Sequence, residues 1–346
     1  MSTTRKILAI LIVMVVVAAP VVVFAGGQRE AADATERHAF IFKNTGNPYG
    51  EKQMEGFAEG IREQGHEAIL RAPDQPTAEA QIQMIEQLIA QRVTSISVTG
   101  NDFDALQPAL TQARNQGITV LSADSAVNPA SRQVHVNQAD SEMIGRTLIQ
   151  AAYDMAGGEG QIAILSATSQ ASNQNLWIEW MQRELAEDPG KYANLELVRI
   201  AYGDDLRDKS VSETEGLLAS FPELKVIIAP TTVGIAAAGR VITDRGLIGQ
   251  VHVTGLGLPS EMAEYIENGA CPYMFLWNPI DVGYLTAYAA TALSTGAITG
   301  AVGDRFSSGR LGSFEVVAAG DGGTEILLGA PFRFDPSNIN EWKTVY

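Results

Sequence analysis

With 346 residues, the chain has room for two α/β domains of ordinary size rather than one very large core. Its formal charge of −16, from 40 acidic against 24 basic residues, argues against nucleic-acid binding, which needs a basic face to neutralise phosphates. A hydrophobic content of 46% with 18% charged residues describes a folded globular protein, and the lone Cys271 rules out an internal disulfide or a cysteine-based metal cluster.

The N-terminal segment 1–25 reads as an export signal. Arg5 and Lys6 precede an apolar run from Ile7 to Phe24, interrupted by Pro20, and Val23-Phe24-Ala25 has the small-x-small form of a cleavage motif. Cleavage after Ala25 is the expectation; the run is long, so an uncleaved membrane anchor is the alternative. No cysteine stands near the cut, which excludes a bacterial lipid anchor. Residues 26–36 are small and polar, a flexible lead-in, and the mature protein is expected in the periplasm.

Past residue 36, strand patterns at 38–42, 67–70, 95–98, 119–121 and 133–136 alternate with helical patterns at 53–64, 77–91 and 104–116. A second series has strands at 161–165, 195–200, 226–229, 251–254 and 273–276. Its helices are expected at 141–155, 176–186, 211–220, 235–244, 261–267 and 279–294. Strands alternating with helices specify βαβ units and a parallel sheet. The strands fit one wide sheet or two of about five, and the restart near Gln161 favours two. The expected class is α/β: two Rossmann-like lobes with parallel sheets joined by a multi-strand hinge. The N-terminal lobe takes 37–138 and 279–303, and the C-terminal lobe takes 139–278. The tail, 304–346, is expected to lay small strands across the hinge.

Many of these strands end in a polar cluster just before a helix. Open parallel sheets bind ligands in the crevice outside the carboxyl ends of their strands. Lys43-Asn44 follows the first strand, Asn101-Asp102 the third and Asp124-Ser125 the fourth. Asn173-Gln174 leads into a helix carrying Trp177, Pro230-Thr231-Thr232 ends another strand, and Asn278 lies at an expected lobe crossover. A lysine donates to a hydroxyl or ring oxygen, a carboxylate accepts hydrogen bonds from two hydroxyls, and amides both donate and accept. An indole face suits the C–H side of a sugar ring. Structural roles compete: Asp102 or Asp104 can cap a helix, Ser172 another, and Trp177 can pack in the core. The set reads as a cleft for a small polyhydroxylated molecule.

Enzyme signals are weak. Gly255-Leu256-Gly257-Leu258-Pro259-Ser260 lacks the third glycine of a dinucleotide fingerprint, and neither a phosphate loop nor a nucleophile elbow occurs. His38, His66, His135 and His252 are scattered without metal-ligand spacing and read as structural. No catalytic residue, metal or cofactor is expected.

Over 38–345 the chain resembles the periplasmic sugar-binding proteins of ABC importers, the type I, ribose-binding-like superfamily. Within it the chain looks most like the rhamnose-binding proteins and their sister group, the autoinducer-2 receptors. The resemblance is carried by Lys43-Asn44-Thr45-Gly46-Asn47-Pro48-Tyr49, Asp124-Ser125-Ala126 and Ala171-Ser172-Asn173-Gln174-Asn175-Leu176-Trp177-Ile178. It continues through Ile228-Ala229-Pro230-Thr231-Thr232-Val233-Gly234, Thr254-Gly255-Leu256-Gly257-Leu258-Pro259-Ser260 and Leu276-Trp277-Asn278-Pro279.

The resemblance implies a monomeric binding protein that closes on a monosaccharide and delivers it to permease subunits in the inner membrane. For autoinducer-2 it implies a lysine, an aspartate, an Asp-Gln pair, a proline and an alanine two beyond. Lys43, Asp124, Gln174 and Pro230 match, whereas Asn173 and Thr232 depart. The departures favour L-rhamnose, with autoinducer-2 as the alternative. The methyl group of a 6-deoxyhexose needs an apolar wall, for which Leu256, Leu258 and Trp277 are the candidates.

Overall fold

The computed structural model describes residues 35–346, and the expected export signal and nearly all of the lead-in lie outside the described residues. The first series comprises β1 (Arg37–Ile41), α1 (Pro48–Glu63), β2 (Glu67–Arg71), α2 (Ala78–Ala90), β3 (Ser95–Val98), α3 (Gln107–Asn115), β4 (Thr119–Ala123) and β5 (Val134–Asn137). Next come α4 (Ser141–Ala156), β6 (Gly160–Ser166), α5 (Ser172–Glu187), β7 (Leu195–Tyr202), α6 (Arg207–Ser220) and β8 (Leu224–Ala229). Then follow α7 (Thr232–Asp244), β9 (His252–Gly255), α8 (Pro259–Glu267), β10 (Met274–Leu276) and α9 (Pro279–Ser294). The tail supplies β11 (Arg305–Ser307), β12 (Ser313–Glu315), β13 (Val317–Ala318), β14 (Thr324–Leu327), β15 (Phe332–Phe334) and α10 (Ile339–Trp342).

Two parallel sheets result, of seven and four strands rather than two of about five. The first has the order β13-β14-β5-β4-β3-β1-β2, and β13 is its antiparallel member. The tail makes the difference: β14 adds to the open edge of β5 in parallel, with Ile326 opposite Val136. The second sheet is β7-β6-β8-β9. β10 touches it through the bridge of Phe275 to Leu256 and pairs antiparallel with β15.

The first sheet is covered on both faces, so β3, β4 and β5 are buried along their whole length, and the polar residues they carry, Ser95, Ser97, Ser122 and His135 among them, are buried with them. Phe40 packs with Phe57 and Ile61 of α1 on one side. Its neighbours Ala39 and Ile41 pack with Ile85 and Leu88 of α2 on the other, the two-residue period of a strand. α9 follows β10 yet returns to pack on β3, β4 and β5 beside α1. Glycine allows that approach: a Cβ on Gly283 would stand 1.9 Å from the Gln53 carbonyl oxygen.

Several helices begin elsewhere than the periodicity suggests. α1 starts at Pro48, because Asn47 caps it through Oδ1 (3.1 Å to the Tyr49 N–H) and proline suits the first turn. α3 starts only at Gln107, and the Asp104 carboxylate accepts from Asn128 Nδ2 at 2.8 Å instead of capping it. α5 starts at Ser172, which sets Asn173 and Gln174 in its first turn. Ser172 is not its cap; its hydroxyl donates to the Ala126 carbonyl at 2.8 Å, from one lobe to the other.

Candidate functional site

Lys43 follows the tip of β1, Asp124 the tip of β4, and Pro230 the tip of β8, so both sheets aim their carboxyl ends at one another. Between them lies a small cavity of about 40 Å³. Lys43, Asp124, Asn173, Gln174, Trp177, Pro230, Thr231, Thr232 and Leu256 all line it.

Polar contacts cross the gap. Lys43 Nζ donates to Asn173 Oδ1 at 3.4 Å, and Asn173 Nδ2 donates to Asp124 Oδ1 at 3.2 Å. Asn173 thus bridges a cation and an anion, which only a side chain with both a donor and an acceptor can do. Gln174 Oε1 accepts from Ser166 Oγ and from the Ala167 N–H, both at 2.7 Å, at the end of β6. Its carbonyl is committed, so what Gln174 can offer a ligand is its NH2 donor.

Asp124 has φ of 63°, a left-handed conformation that aspartate tolerates better than most residues and that concentrates at functional sites. Its own N–H donates to the Val136 carbonyl at 3.0 Å, anchoring the turn to β5. Burial pushes its carboxyl up to about 6, against the opposing pull of Lys43.

The apolar side is aromatic. Trp277 donates its indole N–H to Tyr49 Oη at 2.7 Å, and its ring meets Trp177 edge-on at 5.8 Å. Burial, with the Asp124 charge adding to it, holds the Tyr49 hydroxyl well above its ordinary value, so it stays protonated. The Trp177 indole N–H is buried with no hydrogen-bond partner among the described residues. A donor stranded in this way costs about 1–3 kcal/mol unless something accepts from it. Trp180, three residues on, turns outward beneath the Arg146 and Arg183 guanidinium groups.

Four residues expected at the cleft lie outside the cavity lining. Asn44 donates Nδ2 to the neighbouring Thr45 carbonyl at 3.2 Å. Asn101 Nδ2 donates to the Lys43 carbonyl at 2.8 Å, and its N–H donates to Gln81 Oε1 at 2.9 Å, so it braces the lysine turn from behind. Asp102 accepts from the Asp104 and Ala105 N–H groups, a local turn. Asn278 caps α9, accepting from the Ile280 N–H at 3.0 Å. In Asn44, Asp102 and Asn278 the short polar side chain is held by neighbouring backbone, and in Asn101 by the lysine turn.

Phe42, Asn47, Tyr49, Asp205 and Leu276 line the cavity without having been singled out as ligand contacts; of the candidate walls Leu256 and Trp277 line it and Leu258 does not. The signal for Asp205 was present, since it closes the Tyr202-Gly203-Asp204-Asp205 cluster after β7. It has φ of 52° and accepts from Thr231 Oγ1; burial raises its carboxyl, with Lys43 again opposing.

The model of the periplasmic binding protein domain matches residues 38–298 of this chain. The chain belongs to this family. Among solved structures it is 50% identical to an ABC transporter solute binding protein from Clostridium phytofermentas with bound L-rhamnose. That match covers 90% of this chain and 99% of the other, with a TM-score of 0.88. A sugar ABC transporter protein from Actinomyces odontolyticus is 36% identical, with a TM-score of 0.70 over 89% of this chain and 97% of the other. LsrB from Clostridium saccharobutylicum in complex with AI-2 is 22% identical with a TM-score of 0.82, covering 88% of this chain and 99% of the other, a likeness of fold. The xylitol-binding protein of Mycolicibacterium smegmatis is 23% identical over 221 residues, 64% of this chain. The aligned part spans 60% of that relative's length. The chain is a solute-binding protein of the ABC transporter kind and not an enzyme.

Proposed function

We propose that this chain is the extracytoplasmic receptor of an ABC sugar importer and that its ligand is L-rhamnose, held between the lobes by Lys43, Asp124, Asn173, Gln174, Trp177, Thr231, Thr232 and Asp205. One observation carries the reading: a small cavity between two sheets, lined by a lysine, carboxylates and amides together with Trp177, Trp277, Leu256 and Leu276. The polar groups match hydroxyls; the apolar groups match the C–H face and methyl group of a 6-deoxyhexose. The rhamnose-bound relative at 50% identity supports the same ligand.

The lobes divide in this reading at 138–139 and 278–279, and closing them excludes water from the hydroxyl contacts. The chain works as a monomer whose closed form docks on permease subunits. Among the described residues no helix is long and apolar enough to cross a membrane. The autoinducer-2 reading shares Lys43, Asp124, Gln174 and Pro230 in the same cavity, and the test therefore includes both ligands.

Thermal melting of the purified protein against a sugar panel and autoinducer-2 tests the proposal. A ligand at about 100 times its Kd adds about 2.7 kcal/mol to the folded state. A saturable rise with L-rhamnose is expected, confirmed as one site by calorimetry. A rise with autoinducer-2 and none with L-rhamnose overturns it.

A further inference from the structure

The histidines show no ligand spacing along the chain, yet the fold brings two of them together. β1 pairs with β2 so that His38 lies opposite Ala68, and His66 stands just before β2 on the same edge. Their ring centroids are 5.4 Å apart. Glu36, two positions before His38, adds a carboxylate whose Oε2 lies 3.1 Å from His38 Nε2. One ligand atom from each of Glu36, His38 and His66 lies within 4.8 Å of the other two.

We propose that Glu36, His38 and His66 form a binding site for a divalent transition-metal ion of the zinc class, at the end of the first sheet opposite the sugar cavity. Two imidazoles and one carboxylate are a donor set that such ions take, with a fourth position left for water. Ligand atoms about 2.0–2.2 Å from a tetrahedral ion stand roughly 3.3–3.5 Å apart. The Glu36–His38 pair is within a few tenths of an ångström of that separation, and His66, whose Nδ1 accepts from the Glu36 N–H at 3.4 Å, must release that bond or present Nε2.

The surroundings orient the donors as metal sites require. His38 Nδ1 is 2.8 Å from Ser95 Oγ on β3, so the hydroxyl can accept from Nδ1–H and leave the Nε2 lone pair for the ion. Ser294 Oγ, at the end of α9, donates to Glu36 Oε2 at 3.3 Å. His38 is fully buried while the Glu36 side chain is 31% exposed, so the ion reaches a fixed ring from solvent. From His38 to Lys43 is about 16 Å along the strand, too far for the ion to touch sugar.

The test is titration of tag-free, chelator-stripped full chain with Zn2+ alone, by calorimetry and by competition with a chromophoric chelator. One equivalent is expected to bind and to raise the melting temperature. His66→Ala and Glu36→Gln, both at partly exposed positions, should each weaken binding at least tenfold and abolish the melting shift. Ser95→Ala should weaken it about 10–100-fold by releasing the His38 ring. L-Rhamnose affinity should be unchanged in His66→Ala. Absence of stoichiometric Zn2+ binding, or binding equally tight in His66→Ala and Glu36→Gln, overturns the proposal and leaves an ordinary histidine–carboxylate hydrogen bond.

Discussion

Asp124 makes sugar affinity depend on pH, and the sign follows from its surroundings. Burial raises its carboxyl to about 6, while Lys43 and the Asn173 amide favour the anion and Asp205 disfavours it. Only the ionised form accepts from two hydroxyl groups, so binding takes up the carboxylate state. At pH 7.5 the group in the ligand-free protein is almost wholly ionised; at pH 5 about one molecule in eleven is, by the titration curve of a group at about 6. Affinity should fall about tenfold between those values, near 1.4 kcal/mol. Asp205, raised for the same reason, deepens the loss. Ligand-free stability runs the other way. A carboxyl raised from 3.8 to about 6 contributes stability below 3.8 that is lost as pH climbs through 6. That displacement is worth about 3 kcal/mol at most. Calorimetric titration with L-rhamnose at pH 7.5, 6 and 5, beside melting of the ligand-free protein, reads both. Asp124→Asn should bind weakly and with a flatter profile. Constant or tighter binding at pH 5 would refute the carboxylate's assigned role.

Asn173→Asp replaces the amide 3.2 Å from Asp124 by a second carboxylate, so one of the two must take up a proton. L-Rhamnose affinity measured by calorimetry at pH 7.5 should fall at least tenfold, and a gain in autoinducer-2 binding would revive the competing ligand. Gly283→Ala drives a methyl group against the Gln53 carbonyl at the α1–α9 contact. It should cost about 1–3 kcal/mol, seen as a melting point lowered by several degrees, as overpacking does. Cys271 is fully buried and burial pushes its thiol far up, so a thiol-reactive dye should label it only after unfolding. Labelling of the native protein at the unfolded rate would contradict its placement.

Local chemistry carried a large part of the fold into the sequence. The strands and their helices lie close to where periodicity sets them, because each buried strand carries a short apolar run that the sequence pattern shows. Lys43, Asp124 and Pro230 were visible as polar or helix-breaking residues at strand tips, and Asn173 as part of a polar run leading into a helix; the strand-end rule needs no knowledge of neighbours. Helix starts were less legible: Asn47-Pro48 reads as a loop until the cap forms, and then it is the first turn.

What the residues alone decided is the class of fold and which strand tips carry polar groups, since both follow from patterns within about fifteen residues. Tertiary packing decided which tips meet. Asn101 and Asn278 sit at strand ends as Asp124 does, yet one braces the Lys43 backbone and the other caps α9. Tyr49, Asp205 and Trp277 face the cavity only because the carboxyl ends of the two sheets meet there. The seventh strand, and the meeting of His38 with His66, likewise come from segments far apart in the chain or turned toward each other by strand pairing. Distances across such contacts depend on the whole packed core, which no short window of residues contains.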